Sequence, residues 1–336
     1  MTKKTFVSTV LLTIILVPFL CMAAEAQPLK LRFSGLFPPG SFLTEGYEKF
    51  ARIMKERTNG EVEIRVFPSS QLGSYENVFQ EVIRGTVDME GNYATPRFNK
   101  KFDIQTLPFI VKDFKELNAL LEPESPFAKF FAMAYEECGV VYIGSVIDGI
   151  QGAAISKGKT VTTPFTTDTK KMTVRVEATP PKREWYMAMG YQVATLPRTE
   201  VFSSMQTNVI NGNTGDSPEA VFLELRDAVG SYITYDCVFA LNDYVISKKA
   251  WEALGEKNQK IMREAFAEVA KWTNAEAERS HNQYIAEMKE FGIEVIEPTQ
   301  NEREFMAKLA RDTIWPKYSD TFSKELMDSI VAYITK

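Results

Sequence analysis

Histidine is nearly absent from this chain, and its scarcity excludes several kinds of active site. His281 is the only histidine among 336 residues. An HExxH zinc site needs two histidines, and a multi-histidine metal centre needs more, so both are excluded together with most hydrolytic triads. The sequence also lacks a GxSxG motif and a phosphate-binding loop. We therefore expect neither catalysis nor a cofactor.

Cysteine is also scarce. The chain has three cysteines, of which Cys21 lies in an unusual N-terminal segment. Cys138 and Cys237 form no CxxC pair, which excludes a zinc ribbon and a dithiol redox motif. These two residues either form one disulfide, if the fold brings them together, or stay as two buried thiols.

A strong charge bias is missing as well. The chain has 39 Lys and Arg against 44 Asp and Glu, for a net charge of −5, and its basic residues are spread along the sequence. A nucleic-acid-binding face needs clustered basic residues, so we expect no nucleic-acid partner. The content of 45% hydrophobic and 25% charged residues is typical of globular proteins and, at this length, of one or two domains.

The first 26 residues differ in kind from the rest. Two lysines precede an apolar run over residues 6–22, and the small-x-small sequence Ala24-Glu25-Ala26 follows. These features predict an export signal over residues 1–26 that is cleaved after Ala26. The alternative is a membrane-spanning helix, but Pro18 interrupts the apolar run.

After this segment, strand-like runs alternate with helical periodicity. The predicted strands cover residues 29–37, 61–67, 87–92, 140–146, 172–176 and 192–196, and the predicted helices cover residues 44–57, 75–84, 181–189 and 199–209. Such alternation predicts parallel sheets with helices on both faces. Residues 148–167 are rich in Gly, Thr and Ser, and we expect them to cross between two α/β lobes.

A long helix is predicted over about residues 256–291. Ile261, Phe266 and Val269 are among the apolar residues that share one face of it, and Gly292 ends the pattern. At 1.5 Å per residue the helix would extend roughly 50 Å and could brace both lobes. The alternative is two helices with a break near Thr273-Asn274.

Several local sequences, in order along the chain, resemble one known family. They are LKLRFSGLFPPGSFLTEGYEKFA, GEVEIRVFPSSQLG, VIRGTVDM, KKMTVRV, LPRTEVFSSMQTNVINGN and VISKKAWEAL. This set resembles the periplasmic substrate-binding proteins of TRAP transporters, the DctP-type family, over essentially the whole chain after the signal. FPSSQLG and the block over residues 196–212 are the most specific parts of the resemblance.

The resemblance implies a two-lobed periplasmic binding protein fold, type II-like, with a hinge and a long helix that braces both domains. We expect residues 27–150 and about 237–280 to form domain I, and residues 151–236 and about 281–336 to form domain II. The resemblance further implies a periplasmic receptor that binds an organic acid and delivers it to an ion-gradient-driven membrane permease. For a two-lobed receptor we expect a monomer, although dimers occur among relatives of this type. The alternatives are a soluble ligand-sensing component of another system and an enzyme.

Arg175, in KKMTVRV, is the main candidate for ligand binding. It lies in an apolar strand-like run, where a buried guanidinium is costly unless an anion meets it. Ligands of open α/β sheets gather beyond the carboxyl ends of strands, and a guanidinium can hold a carboxylate by two parallel hydrogen bonds. The resemblance implies this same salt bridge to the ligand. The structural alternative is an internal ion pair to Glu177, Glu184 or Glu200.

Further candidates come from positions where the family contacts its ligand. Gln151 stands about where sialic-acid-type members carry a second arginine. The ligand-contacting asparagine of many members falls on Gly215, so Asn213 or Asp216 would have to substitute for it. Arg198 stands where an aromatic residue is usual. If Arg198 points inward, two arginines could hold a dianion, and if it points outward it is a solvated loop residue.

Apolar and aromatic candidates complete the predicted site. Leu36 and Phe37 lie at the end of the first predicted strand and Tyr93 follows the third, at ligand-contacting positions of the family. Such a wall suits a carboxylate with an apolar or ring-bearing body; the alternative is core packing near the hinge. Asp236 could meet an ammonium group, or could instead be a helix cap or a surface residue.

Overall fold

The computed structural model describes residues 27–335, and the predicted export signal lies outside the described residues. The strands are β1 (Leu29–Gly35), β2 (Val62–Phe67), β3 (Met89–Asn92), β4 (Val140–Ser156), β5 (Thr173–Arg175), β6 (Gln192–Ala194), β7 (Gly212–Thr214), β8 (Val229–Ser247) and β9 (Glu294–Ile296). The helices are α1 (Phe42–Arg57), α2 (Tyr75–Arg84), α3 (Phe114–Leu120), α4 (Pro126–Glu137), α5 (Pro180–Ala188), α6 (Val201–Gln206), α7 (Pro218–Ala220), α8 (Lys248–Phe291), α9 (Gln300–Thr313) and α10 (Lys324–Ile334).

The nine strands found in residues 27–335 form one mixed sheet. Their order is β2-β1-β3-β8-β4-β7-β5-β6, and β9 pairs with β8. β1 is parallel to β2 and β3, and β5 is parallel to β6 and β7, as the alternating pattern predicts. In the centre, however, β8 is antiparallel to β3 and β4, and β4 is antiparallel to β7. The expectation of separate parallel sheets is therefore wrong at the centre, where long antiparallel strands join the two ends.

β4 and β8 carry the chain from one lobe to the other. They contain 17 and 19 residues, so the start of the predicted crossover over residues 148–167 is strand and not loop. Their pairing is interrupted: Gln151 faces Val238 and Ala153 faces Ile233, which leaves residues 234–237 of β8 unpaired with β4. Such bulges bend strands and increase their twist. The sheet therefore changes direction between residues 151 and 153.

The apolar residues fall into separate clusters on the two sides of this bend. The first lobe comprises β1–β3, α1–α4 and the adjoining halves of β4 and β8, and it buries Phe33, Tyr47, Phe50 and Tyr244 in one core. The second lobe comprises β5–β7, β9, α5–α7 and α9. It has one cluster that includes Trp185 and Tyr235 and another that includes Met205 and Ile210.

The last helix departs from the expected domain division. Residues 281–336 are expected in domain II, but α10 packs against α3 and α4 and buries Met327, Ile330 and Ile334 in the core of the first lobe. The apolar residues recur at helical spacing and form one stripe, which needs an apolar partner. The chain therefore returns to the first lobe after α9.

The predicted long helix is present as the main part of α8. Gly255, with φ 68° and ψ 162°, interrupts the first turns, and the helix then continues through Thr273 and Asn274 without a break. It buries Met262, Phe266 and Val269 in the first core and Met288 in a core of the second lobe. α8 therefore packs against both lobes.

Two smaller points concern the cysteines and the helices. Cys138 is half-buried and Cys237 is buried, and both are free thiols. Between residues 27 and 335, the structure has no helix with the length and apolarity needed to cross a membrane.

Phe266 of α8 packs directly against Gly144 of the sheet. A Cβ atom at this position of β4 would overlap the ring of Phe266. We expect Gly144→Ala to lower the free energy of unfolding by about 1–3 kcal/mol, because the packed ring must shift. Urea-induced unfolding measures this loss. Combining it with Phe266→Leu should cost less than the sum of the two single changes, and unchanged stability of Gly144→Ala would contradict the described packing.

Candidate functional site

A cavity of about 360 Å³ lies where the two lobes meet. The first lobe contributes Leu36, Tyr75, Tyr93, Gln105 and Phe239 to its walls, and the second lobe contributes Arg175, Glu177, Lys182, Arg198 and Gly215. A smaller space of about 190 Å³ shares Leu36, Tyr93, Arg198 and Gly215 with it and extends to Phe37, Asp148 and Asp216. The two spaces form one cleft that brings together most of the predicted site residues.

The topology explains why these residues meet. Leu36 follows β1, Tyr93 follows β3, Arg175 is the last residue of β5 and Gly215 follows β7. These strands present their carboxyl ends to the cleft, which is the common location of ligand sites in open α/β sheets.

Arg175 is held rigidly in the cleft wall. Its side chain is only 8% exposed, and its Nε donates a hydrogen bond of 3.2 Å to the carbonyl oxygen of Leu196. The hydroxyl of Thr214 donates to the carbonyl oxygen of Arg175 at 2.8 Å. Among residues 27–335, no acceptor is hydrogen-bonded to the two terminal nitrogens of this guanidinium. Its fork is therefore free to bind an anion in the cavity.

The internal ion pair considered as the alternative role of Arg175 is present only as one long contact. Its Nη1 lies 3.5 Å from Oε1 of Glu177, which is beyond a strong charge-assisted hydrogen bond. Glu184, another partner considered from the sequence, is instead 2.6 Å from Nζ of Lys317.

Lys182 is a site residue that the sequence analysis missed. It is 2% exposed, and its Nζ lies 2.9 Å from Oε2 of Glu177 and donates to Oε1 of Gln151 at 2.7 Å. Gln151 in turn donates to the carbonyl oxygen of Gly215 at 2.5 Å. A lysine in the first turn of α5, near the positive end of the helix dipole, is unfavourable unless an anion is close. The position of Lys182 at the start of a predicted helix is therefore the sequence feature that could have identified it as a site residue.

Glu177 is the anion that Lys182 meets. Burial raises the pKa of this carboxyl group, but Lys182 and Arg175 more than offset the effect, so that its pKa is lowered and the group is ionised at neutral pH. Glu177 also explains why this chain has Gly215 at the position where many family members have an asparagine. Gly215 has φ 101°, and a Cβ atom added there would overlap the Glu177 carboxylate. The acidic side chain occupies the space into which the expected asparagine would extend.

Arg198 lies at the wall of the cleft with its charge already compensated. It pairs with the buried carboxylate of Asp216, and its Nη2 lies 2.8 Å from Oε2 of Glu224. Asn213 donates to the other oxygen of Asp216 at 2.6 Å, so these two candidates bind each other. A site with two uncompensated arginines is therefore not formed.

Tyr93 connects the cleft wall to β4. Its hydroxyl donates to Oδ2 of Asp148 at 2.5 Å, and its ring contacts Phe37 edge-on at 6.1 Å between centroids. Burial raises the pKa of Asp148 to about 6, although the hydrogen bond from Tyr93 opposes this effect.

Asp236 does not reach the cavity. It lies in the unpaired stretch of β8 with φ 46°, and Oδ2 is 3.6 Å from Nη2 of Arg303 on α9. The bulge directs its side chain toward α9, so the predicted contact with a ligand ammonium group is not supported.

We expect Gly215→Ala to disrupt the Glu177 contacts. The substitution adds backbone strain and displaces the carboxylate, so stability should fall by about 1–3 kcal/mol. Gly40→Ala is the matched control, because Gly40 has φ 87° but a Cβ atom added there would meet no other atom within 4 Å. Thermal unfolding compares the two variants, and equal losses would contradict the described position of Glu177.

The raised pKa of Asp148 predicts a pH-dependent contribution to stability. The native state binds the proton more tightly than the unfolded chain, so the contribution is complete below about pH 4 and is lost as the pH rises through about 6. Asp148→Asn does not titrate. Urea unfolding from pH 4.5 to 7.5 should show the wild type losing about 1–3 kcal/mol relative to this variant, and parallel pH profiles would contradict the assignment.

Comparison with known proteins agrees with this architecture. The family model described as bacterial extracellular solute-binding protein, family 7 (DctP), matches residues 33–321. The C4-dicarboxylate-binding periplasmic protein DctP of Rhodobacter capsulatus is 25% identical over 289 residues, which cover 84% of this chain and 85% of that protein.

Solved structures show the same fold. A TRAP periplasmic solute binding protein from Desulfovibrio salexigens, with bound orotic acid, has a TM-score of 0.80 and 23% identity, covering 91% of this chain and 99% of that chain. One from Ralstonia eutropha H16, with bound (S)-2-acetolactate, has a TM-score of 0.78 and 22% identity, covering 91% and 98%. These similarities confirm the predicted two-lobed fold, and because the family match spans most of its length, the chain belongs to the bacterial extracellular solute-binding protein family 7.

Proposed function

We propose that this protein is the extracytoplasmic receptor of a TRAP transporter and binds an organic acid between its two lobes. The observation that carries the proposal is the buried guanidinium of Arg175, whose terminal nitrogens face the cavity without a hydrogen-bond partner in residues 27–335. A carboxylate would satisfy both nitrogens at once.

The names of the relatives support a carboxylate as the common feature of the ligand. The Rhodobacter protein is named for C4-dicarboxylates, and the two solved structures contain orotic acid and (S)-2-acetolactate. These compounds differ in charge and in the body attached to the carboxylate. The relatives therefore support a carboxylic acid as the ligand class. Which acid this chain binds depends on the residues that line its own cavity.

We infer that binding closes the two lobes around the acid. Arg175 reaches the cavity from the second lobe, and Leu36, Tyr75 and Tyr93 reach it from the first. A ligand that contacts both walls favours the closed state by its differential affinity for that state. The bends in β4 between residues 151 and 153 and in β8 at residues 234–237 separate the two cores, and they are the proposed hinge.

The wider role follows from family membership. We infer that the mature protein starts at Gln27 after export, acts in the periplasm as a monomer, and delivers its ligand to the membrane permease of the transporter. It needs no chemical step for this role, because binding and release suffice.

Replacement of Arg175 tests the anchor. In a thermal-shift screen of the mature protein against organic acids, a ligand at a hundredfold excess over its Kd should stabilise the wild type by about 2.7 kcal/mol. Arg175→Ala should lose about a hundredfold or more in affinity, because two charge-assisted hydrogen bonds are removed.

Arg183→Ala is the matched control, since Arg183 is exposed on the neighbouring helix and does not line the cavity. It should keep the wild-type response. An Arg175→Ala protein that still responds to the same acids like the wild type would exclude Arg175 as the anchor.

A further inference from the structure

The charges beside Arg175 sum to a single positive charge. Arg175 and Lys182 contribute two cations, and Glu177 contributes one anion. Glu76 and Arg97 also line the cavity and add one charge of each sign. Arg198 lines the cavity too, but Asp216 and Glu224, which line the adjoining smaller space, more than offset its charge. One carboxylate on Arg175 would therefore neutralise this part of the wall, while a second carboxylate would meet no uncompensated cation.

Glu177 also supplies an acceptor beside the anchor. Its Oε2 is buried and lies 2.9 Å from Nζ of Lys182. Its Oε1 lies 3.5 Å from Nη1 of Arg175 and has no hydrogen-bond donor among residues 27–335. Since the side chain is 30% exposed and lines the cavity, this oxygen is open to a ligand. An acceptor oxygen without a hydrogen-bond donor therefore lies 3.5 Å from a guanidinium fork without a hydrogen-bond acceptor, and the two are joined only as an ion pair.

We propose that Glu177 is the specificity-determining residue of the site, and that the site selects monocarboxylates that carry a hydroxyl group on the carbon next to the carboxylate. This inference rests on the proposed function of Arg175 as the carboxylate anchor. A carboxylate on the guanidinium fork places its neighbouring carbon beside Glu177, where the hydroxyl donates to Oε1.

Each of the other ligand classes leaves a polar or charged group of the site or of the ligand without a suitable partner. An acid without the hydroxyl leaves a desolvated carboxylate oxygen without a donor, which is costly in an enclosed site. A second carboxylate meets the negative charge of Glu177, and Arg198 is already engaged. An amino acid brings an ammonium group, which costs more to desolvate than a hydroxyl group and has three N–H donors for the one oxygen of Glu177 that lacks a donor.

The remaining wall fixes the character of the ligand body. Leu36, Tyr75, Pro96, Val238 and Phe239 also line the cavity. Apolar and aromatic surface of this kind binds an apolar body through its buried area. The preferred class is therefore a 2-hydroxy monocarboxylate with an apolar substituent.

Isothermal titration calorimetry on the mature protein tests the proposal with two matched series. The first is mandelate, phenylacetate, phenylglycine and phenylsuccinate, and the second is lactate, propionate, alanine and succinate. In each series that binds, the hydroxy acid should bind at least tenfold more tightly than the other three, and the phenyl series should bind more tightly than the methyl series.

Glu177→Gln isolates the role of the carboxylate. The change removes its negative charge with almost no change in size, so the preference for mandelate over phenylacetate should fall at least threefold. The affinity for phenylsuccinate relative to mandelate should rise at least tenfold. Glu184→Gln is the matched control, because Glu184 lies on the neighbouring helix α5 but pairs with Lys317 outside the cavity. It should keep both wild-type ratios.

The outcomes separate this inference from the proposed function. If acids bind in an Arg175-dependent way but phenylacetate or phenylsuccinate equals mandelate, or if Glu177→Gln leaves the ratios unchanged, the inference is overturned and the anchor stands. If no acid of either series binds, the inference is overturned, and the wider thermal-shift screen decides the proposed function. If binding is insensitive to Arg175→Ala, both are contradicted.

Discussion

The structure depends on a guanidinium that is buried at the carboxyl end of a short strand and cannot be neutralised by losing its proton. Burying such a group requires acceptors or an anion around it. The carbonyl oxygen of Leu196 binds Nε, and Glu177 compensates part of the charge from 3.5 Å away. The terminal nitrogens still face the cavity. The second lobe thus builds an anion site that is rigid before the ligand arrives, which lowers the ordering cost of binding.

The lobes are coupled through the same strands that separate them. β4 and β8 are hydrogen-bonded along most of their length, and the interruption at residues 234–237 divides the apolar cores. Tyr93 binds Asp148 of β4 close to this interruption, so a wall residue of the first lobe is tied to the proposed hinge. α8 packs on both lobes and restricts the directions in which they can move relative to one another.

Much of the fold and part of the site could be predicted from sequence. The helix expected over residues 75–84 agrees with α2 at both ends, and Arg175 stands out in the sequence because an arginine inside an apolar run needs an explanation. β4 is predicted only to residue 146, since Asp148 and Gly149 interrupt the apolar pattern of a strand that pairs on both edges. Other features depend on tertiary packing, which local periodicity does not encode. These are the lobe to which α10 belongs, the pairing of Arg198 with Asp216, and the contact between Glu177 and Lys182.

A crystal structure of the mature protein with a bound organic acid would show whether Arg175 anchors the ligand. We expect closed lobes, a ligand carboxylate in two-pronged contact with both terminal nitrogens of Arg175, and Glu177 still held by Lys182. A ligand carboxylate bound elsewhere in the cleft, or an Arg175 that pairs only with Glu177 in the liganded state, would contradict it.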